Sequence, residues 1–199
     1  MGLHASSTSF AGSGLASGTD YFFALLPGDQ VRTEIASVSE RFRQTHRLIG
    51  NWVDASRFHM TLCPTGRPDR MRGSVEAALI EAACQVRVKA FDITLESAMR
   101  LSAKDGQYPF VLCTDSPSAD AALKLRKAIA LAQAQAGLSV PGVSSYMPHV
   151  TLLHGPMIDA IEVSMPSIHW RVREFVLVRS FFGQSRNEVV GRWPLDAAY

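Results

Sequence analysis

PHVTLLHG (residues 148–155) holds a histidine, one spacer and a threonine inside an apolar run. RFHMTLC (residues 57–63) repeats the figure, with its histidine ninety residues upstream of the first. In a strand, residues i and i+2 project from the same face. His59 and Thr61 therefore project together, while Met60 and Leu62 turn into apolar packing. His149 and Thr151 do the same, backed by Val150 and Leu152. Each figure sets an imidazole beside a hydroxyl on one side of a rigid element.

Working outward, YFFALLP (residues 21–27) reads as a buried strand closed by Pro-Gly. Val31, Ile35, Val38 and Phe42 then recur at helical spacing, which predicts a helix over 29–43. RFHMTLC is a strand closed by a loop at 64–68, and a helix follows over 72–86 with Val75, Ala78, Leu79 and Ala82 on its inner face. Residues 91–95 alternate as a half-exposed strand, and YPFVLCT (108–114) is another. Residues 119–136 are rich in Ala and Leu, a strong helix pattern stopped by Gly137. Its Lys124, Arg126 and Lys127 leave an apolar stripe of ordinary width, so the helix reads as scaffold. PHVTLLH, 169–180 and 188–195 complete the strands. The order is a loose internal duplication with one His-x-Thr in each half. It predicts an α+β fold, with mostly antiparallel sheets and helices packed outside. Pseudo-symmetry of that kind would bring both motif faces to one cleft.

The chain has 199 residues, enough for one domain over 20–199. Hydrophobic residues make up 47% and charged residues 19%, which supports a sizeable core and excludes wholesale disorder. A net charge of +2 permits an anionic ligand but lacks the dense basic stripe of a duplex-DNA binder. Residues 1–19 are Ser/Gly-rich and lack the basic and apolar regions of a signal peptide, so they read as a flexible tail. No run approaches the roughly 18 apolar residues of a membrane span. Cys63, Cys84 and Cys113 are widely spaced in apolar patterns and read as buried small hydrophobes of a reducing cytoplasm.

Two opposed imidazoles suit a proton-relay reaction. With an unperturbed pKa of about 6.5, one ring can be neutral and the other protonated near neutral pH. One takes a proton from the attacking oxygen and the other gives a proton to the departing oxygen, each worth about 10²–10⁴-fold in rate. The threonine hydroxyls can hold the non-bridging oxygens of a phosphate between them. Such a step requires no metal or cofactor. His149 and His154, five residues apart, are expected on opposite faces of their strand, which makes them poor zinc co-ligands.

The sequence resembles the two-histidine (2H) phosphoesterase superfamily and, within it, the 2′-5′ RNA ligase-like proteins, also called RNA 2′,3′-cyclic phosphodiesterases. YFFALLP, FHMTL, PHVTLL and the closing FVLVRS…VVGRWPL carry the likeness, over residues 20 to 195. The resemblance implies a bilobal fold, with an antiparallel sheet in each lobe and both motifs lining a central groove. It implies metal-independent hydrolysis of a 2′,3′-cyclic phosphate to a 2′-phosphomonoester. His59 would be the acid at the leaving O3′, His149 the base that activates water, and Thr61 and Thr151 the phosphate grip. Family members often carry Phe-Leu-Gly after the first motif, where this chain has Cys63-Pro64-Thr65-Gly66. Many carry arginine where this chain has His154, a departure that favours a small nucleotide or a modified specificity.

Other residues are candidates for substrate binding. Tyr146 is placed to stack on a base at the groove rim. Arg57 and Arg67 flank the first motif and could draw phosphate. Of Phe22 and Phe23, one faces the core and the other can reach the groove. The expected partners are RNA 3′ ends or small cyclic nucleotides, with neither membrane nor duplex DNA, and the expected state is a monomer. Two alternatives stay open: cleavage or ligation of a 2′-5′ linkage, and a nucleotide- or RNA-binding module without turnover.

Overall fold

The computed structural model describes residues 19–65, 74–102, 108–140, 142–156, 162–181 and 186–197. Among these residues the elements run β1 (Thr19–Leu25), α1 (Asp29–His46), β2 (Asn51–Trp52), a 3-10 turn (Ala55–Arg57) and β3 (Met60–Pro64). Then come α2 (Val75–Cys84), β4 (Phe91–Arg100), β5 (Tyr108–Thr114), α3 (Ser116–Gln135) and β6 (His149–Gly155). β7 (Glu162–Val172), β8 (Glu174–Phe181) and β9 (Arg186–Pro194) close the chain. Two sheets result, ordered β3-β1-β8-β9 and β2-β6-β5-β4-β7, with every strand pairing antiparallel. This is the α+β, bilobal, antiparallel architecture expected.

Local chemistry explains the helices. α1 buries Ile35, Val38 and Phe42 along one stripe, and Phe42 meets Phe110 of β5 edge-on at 5.1 Å. Ser74 caps α2 by accepting from the Ala77 N–H, and Asp115 caps α3 by accepting from the Ser118 N–H. α3 stops at Gly137, whose φ of 79° lies in the left-handed region that glycine enters freely.

The helices are exchanged between the sheets. α1 follows β1 of the first sheet but packs on β7 of the second, whereas α3 follows β5 of the second sheet and packs on both β3 and β4. One apolar cluster therefore joins Phe23 and Leu25 of β1, Phe42 of α1, Leu125 of α3, Leu152 of β6 and Trp170 of β7. A smaller cluster, Ala24, Val176 and Val178 with Phe22 and Leu26, lies on the opposite face of the first sheet. Among the described residues no helix is long and apolar enough to cross a membrane.

Several expectations need correction. The single strand expected at 169–180 is two strands, β7 and β8. β7 pairs with β4 and β8 pairs with β1, so the extended chain changes sheets at Arg173. β2 was not foreseen; it is two residues long and carries no periodicity. β4 runs five residues past Leu95 because a bulge at Glu96 shifts its phase. β1 takes Thr19 from the expected tail; residues 1–18, like Arg67, lie outside the described residues. Cys63 and Cys113 are buried, but Cys84 is exposed at the end of α2, where it accepts from the Trp193 indole N–H at 3.4 Å.

Candidate functional site

The two motif strands share one irregularity. In β3, Phe23 pairs with Cys63 and Ala24 with Thr61, so Leu62 is an extra, unpaired residue. In β6, Phe110 pairs with Leu153 and Val111 with Thr151, so Leu152 is extra. Each His-x-Thr thus ends in a β-bulge at the leucine that succeeds the threonine. A bulge inserts one residue and re-aims the side chains beyond it. Leu62 and Cys63 are both buried, and so are Leu152 and Leu153.

The second bulge overturns the expectation for His154. An unbroken strand would set it opposite His149. With Leu152 inserted, the alternation resumes one residue late, and His154 projects on the side of His149 and Thr151. A cleft of about 720 Å³ is lined by Asn51, Trp52, Val53, Arg57, His59, Thr151 and His154. One cleft thus takes His59 from the first motif, Thr151 from the second, and the flanking candidates Arg57 and His154; Thr61 and His149 are not among its lining residues. Among the described residues no group of three His, Cys, Asp or Glu is arranged to hold a metal ion.

The imidazoles are oriented by matching contacts. His59 Nδ1 donates to the Arg57 carbonyl at 2.8 Å, and His149 Nδ1 donates to the Met147 carbonyl at 2.8 Å. A carbonyl only accepts, so each Nδ1 carries its hydrogen and each Nε2 is the free nitrogen. Upstream of His59, the Asp54 carboxylate caps the 3-10 turn by accepting from the Ser56 N–H at 2.9 Å and from its hydroxyl. Those hydrogen bonds hold the Asp54 carboxyl below its usual range. Burial lowers the His59 pKa; the Arg57 carbonyl opposes that, and Arg57, His149 and His154 add to the lowering.

A second, more apolar cavity of about 350 Å³ adjoins at His59 and Arg57. Phe22, Leu26, Val178 and Val189 form its wall, with Ser56, Arg186 and Asn187 around it. The Phe22 ring lies 5.3 Å from the His59 ring. Phe23 is fully buried, so the pair divides between core and groove.

Tyr146 is placed differently from the rim position expected. Its hydroxyl donates to the Thr61 carbonyl at 2.9 Å, and the Arg126 guanidinium lies over its ring at 4.7 Å. Burial raises its phenol pKa. Tyr146 ties the segment before His149 to the strand that carries Thr61.

Arg126 is the residue that sequence reading missed. Expected among the charges that flank α3's apolar stripe, it is only 5% exposed. Its guanidinium donates to the Leu62 carbonyl, to the Gly142 carbonyl at 2.9 Å and to the Val143 carbonyl at 3.3 Å. Leu62 is the bulge residue of β3, and β3 is an edge strand. A guanidinium with five donors is suited to satisfy carbonyls that the ladder leaves open. At the other bulge, the Leu152 carbonyl accepts from the Val53 N–H at 2.8 Å. The nearby signal was Thr-Leu-Cys and Thr-Leu-Leu: two adjacent apolar residues break strict alternation.

A two-lobed α+β fold, with a His-x-Thr strand from each half packed on the other, is the architecture of the two-histidine phosphoesterase superfamily. The chain belongs to the 2′-5′ RNA ligase superfamily, whose family model matches residues 27–180. Among solved structures, E. coli LigT complexed with 3′-AMP is 22% identical with a TM-score of 0.65, covering 90% of this chain and 99% of LigT. E. coli LigT complexed with NADP+ is also 22% identical, with a TM-score of 0.66 and coverage of 89% and 98%. TT0787 of Thermus thermophilus is 18% identical with a TM-score of 0.68, covering 90% of this chain and 100% of its own. At these identities the likeness is one of fold. No curated protein matches.

Proposed function

We propose that this protein hydrolyses 2′,3′-cyclic phosphates at RNA 3′ ends or on small nucleotides to 2′-phosphomonoesters, without a metal. The observation that carries the reading is the matched pair of imidazoles, each with Nδ1–H spent on a carbonyl two residues upstream. That leaves two Nε2 atoms for proton transfer, with Thr61 and Thr151 beside them. His149 Nε2 takes a proton from water as its oxygen attacks phosphorus. The P–O3′ bond breaks, and His59 Nε2–H gives its proton to O3′. Exchange with solvent resets both rings. Thr61 and Thr151 donate to the non-bridging oxygens. The apolar wall at Phe22 and Val178 offers a surface to the sugar or base. E. coli LigT, crystallised with 3′-AMP, ATP and NADP+, supports a nucleotide as the ligand class.

The test is hydrolysis of adenosine 2′,3′-cyclic phosphate in EDTA, with products resolved by phosphorus NMR. His59→Ala and His149→Ala should each lose about 10²–10⁴-fold in kcat, with thermal unfolding little changed. Full activity in either variant would remove the paired-histidine mechanism. A second reading, cleavage of a 2′-5′ linkage, has its own support: two cavities, of about 350 and 720 Å³, share His59 and Arg57 in their linings, which favours a ligand larger than one nucleoside. A 2′-5′ oligoadenylate arm in the same assay separates the two.

A further inference from the structure

The two motif strands are not equally supported. β6, which carries the second motif, lies between β2 and β5, and its Leu152 carbonyl accepts from the backbone of Val53. β3, which follows His59, pairs with β1 alone. Side chains stand in for its missing neighbour. The Thr61 carbonyl accepts from the Tyr146 hydroxyl at 2.9 Å, and the Leu62 carbonyl accepts from the Arg126 guanidinium. Both donors lead toward the second motif. Tyr146 lies three residues before His149, and Arg126 also donates to the carbonyls of Gly142 and Val143. The described residues between Gln135 and His149 belong to no helix or strand. Met147, whose carbonyl receives the His149 Nδ1–H at 2.8 Å, sits in that irregular stretch beside Tyr146. The His149 ring is therefore aimed by a segment that one phenol ties to Thr61.

We infer that Tyr146 is a positioning residue: its hydroxyl, acting through the Thr61 backbone, fixes the His149 imidazole against the first motif. The inference rests on the function proposed above and adds to it a residue that lines neither of the cavities at His59. A phenylalanine at this position would keep the ring, its contact with Arg126 and any capacity to stack on a base. Only the link to Thr61 would go. Burial raises the phenol pKa, so the hydroxyl remains a donor across the range in which imidazoles titrate. Of the groups that face it, the Cys63 thiol is itself pushed up to about 12 by burial, and Arg126 carries a fixed charge. The link therefore holds equally at acidic and basic pH. Misplacing a reacting group by about 1 Å costs about 10²-fold in rate, and loosening one anchor of the segment should cost part of that.

The test pairs Tyr146→Phe with Ile129→Val, a buried substitution in α3 outside the link. Both should melt about 2–4 °C below the parent protein. With adenosine 2′,3′-cyclic phosphate, Tyr146→Phe should lower kcat about tenfold and leave KM within about twofold. The factor should be the same from pH 6.0 to 8.0, and Ile129→Val should keep the parent kcat. In isotope-labelled protein, nuclear magnetic resonance should show the His149 Nδ1–H exchanging faster with solvent in Tyr146→Phe. The His59 Nδ1–H, held by the Arg57 carbonyl within its own motif, should keep its rate. Parent kcat and parent exchange in Tyr146→Phe overturn the inference. So does a raised KM at constant kcat, which would place the phenol on the substrate, or a loss confined to one limb of the pH profile, which would make it a proton carrier. An equal loss of kcat in Ile129→Val would reduce the effect to stability. If the parent protein turns over no cyclic phosphate, the proposed hydrolysis fails, and the exchange rates alone decide whether Tyr146 aims His149.

Discussion

At the scale of single residues, His59 faces a conflict. The proposed reaction asks it to deliver a proton, yet burial and the facing cations lower its pKa in the empty cleft. A phosphate monoanion between the rings reverses the balance, because an opposite charge favours the protonated imidazole. The pH profiles should report this. kcat/KM reads the free enzyme and kcat the bound complex. Activity that depends on protonated His59 is lost as pH rises through that group's pKa. The descending limb should therefore lie at lower pH in kcat/KM than in kcat. If both limbs coincide, or if the order is reversed, His59 is not the acid, and the base role passes to it. The fixed tautomers would permit that exchange, since both rings present Nε2.

At the scale of elements, the bulges decide what the motif strands can do, and a buried cation sustains one of them. Arg126 serves the carbonyls of Leu62, Gly142 and Val143 and covers Tyr146, which itself holds the Thr61 carbonyl. Each buried acceptor left without a donor costs about 1–3 kcal/mol. Arg126→Met should therefore lose roughly 3 kcal/mol, read as a lower urea midpoint at unchanged slope. Lys124→Met, on an exposed position of the same helix, should stay within about 0.5 kcal/mol. Equal stability of the two variants would mean that the β3 bulge does not need the guanidinium. This is also where sequence reading reached its limit. The strands and helices that bear the motifs were legible because periods of 2 and 3.6 mark buried faces directly. The pairing of His59 with Thr61 and of His149 with Thr151 followed from the same rule. That rule assumes an unbroken ladder, so it sent His154 to the wrong side. A helical wheel puts Arg126 with Ala122, Ile129 and Ala130 and leaves Lys124 outside that face, but a guanidinium there reads as the edge of the stripe because the carbonyl that receives it lies on a strand sixty-four residues away. Likewise, β7 and β8 read as one strand because the backbone stays extended while its hydrogen-bonding partners change.

At the scale of the molecule, the duplication visible in the sequence is not a division into two independent halves. α1 leaves the first sheet to pack on the second, and α3 leaves the second sheet to pack against β3 of the first as well as β4. The apolar cluster runs through both. The motif strands β3 and β6 pack on each other between the lobes, and Tyr146 bridges them. Separating the lobes would expose Phe42 and Phe110 on one side and Leu125 and Leu62 on the other. Burying side chains of this kind is worth about 1.5–3 kcal/mol each, so an isolated lobe would surrender stability comparable with that of a whole domain. The two lobes should therefore unfold together. Scanning calorimetry should show one transition with equal calorimetric and van't Hoff enthalpies, and near-UV and far-UV circular dichroism should give the same midpoint. Two resolved transitions, or a calorimetric enthalpy well above the van't Hoff value, would show lobes that fold separately. The alignment of His59 with His149 would then depend on a hinge and not on a common core.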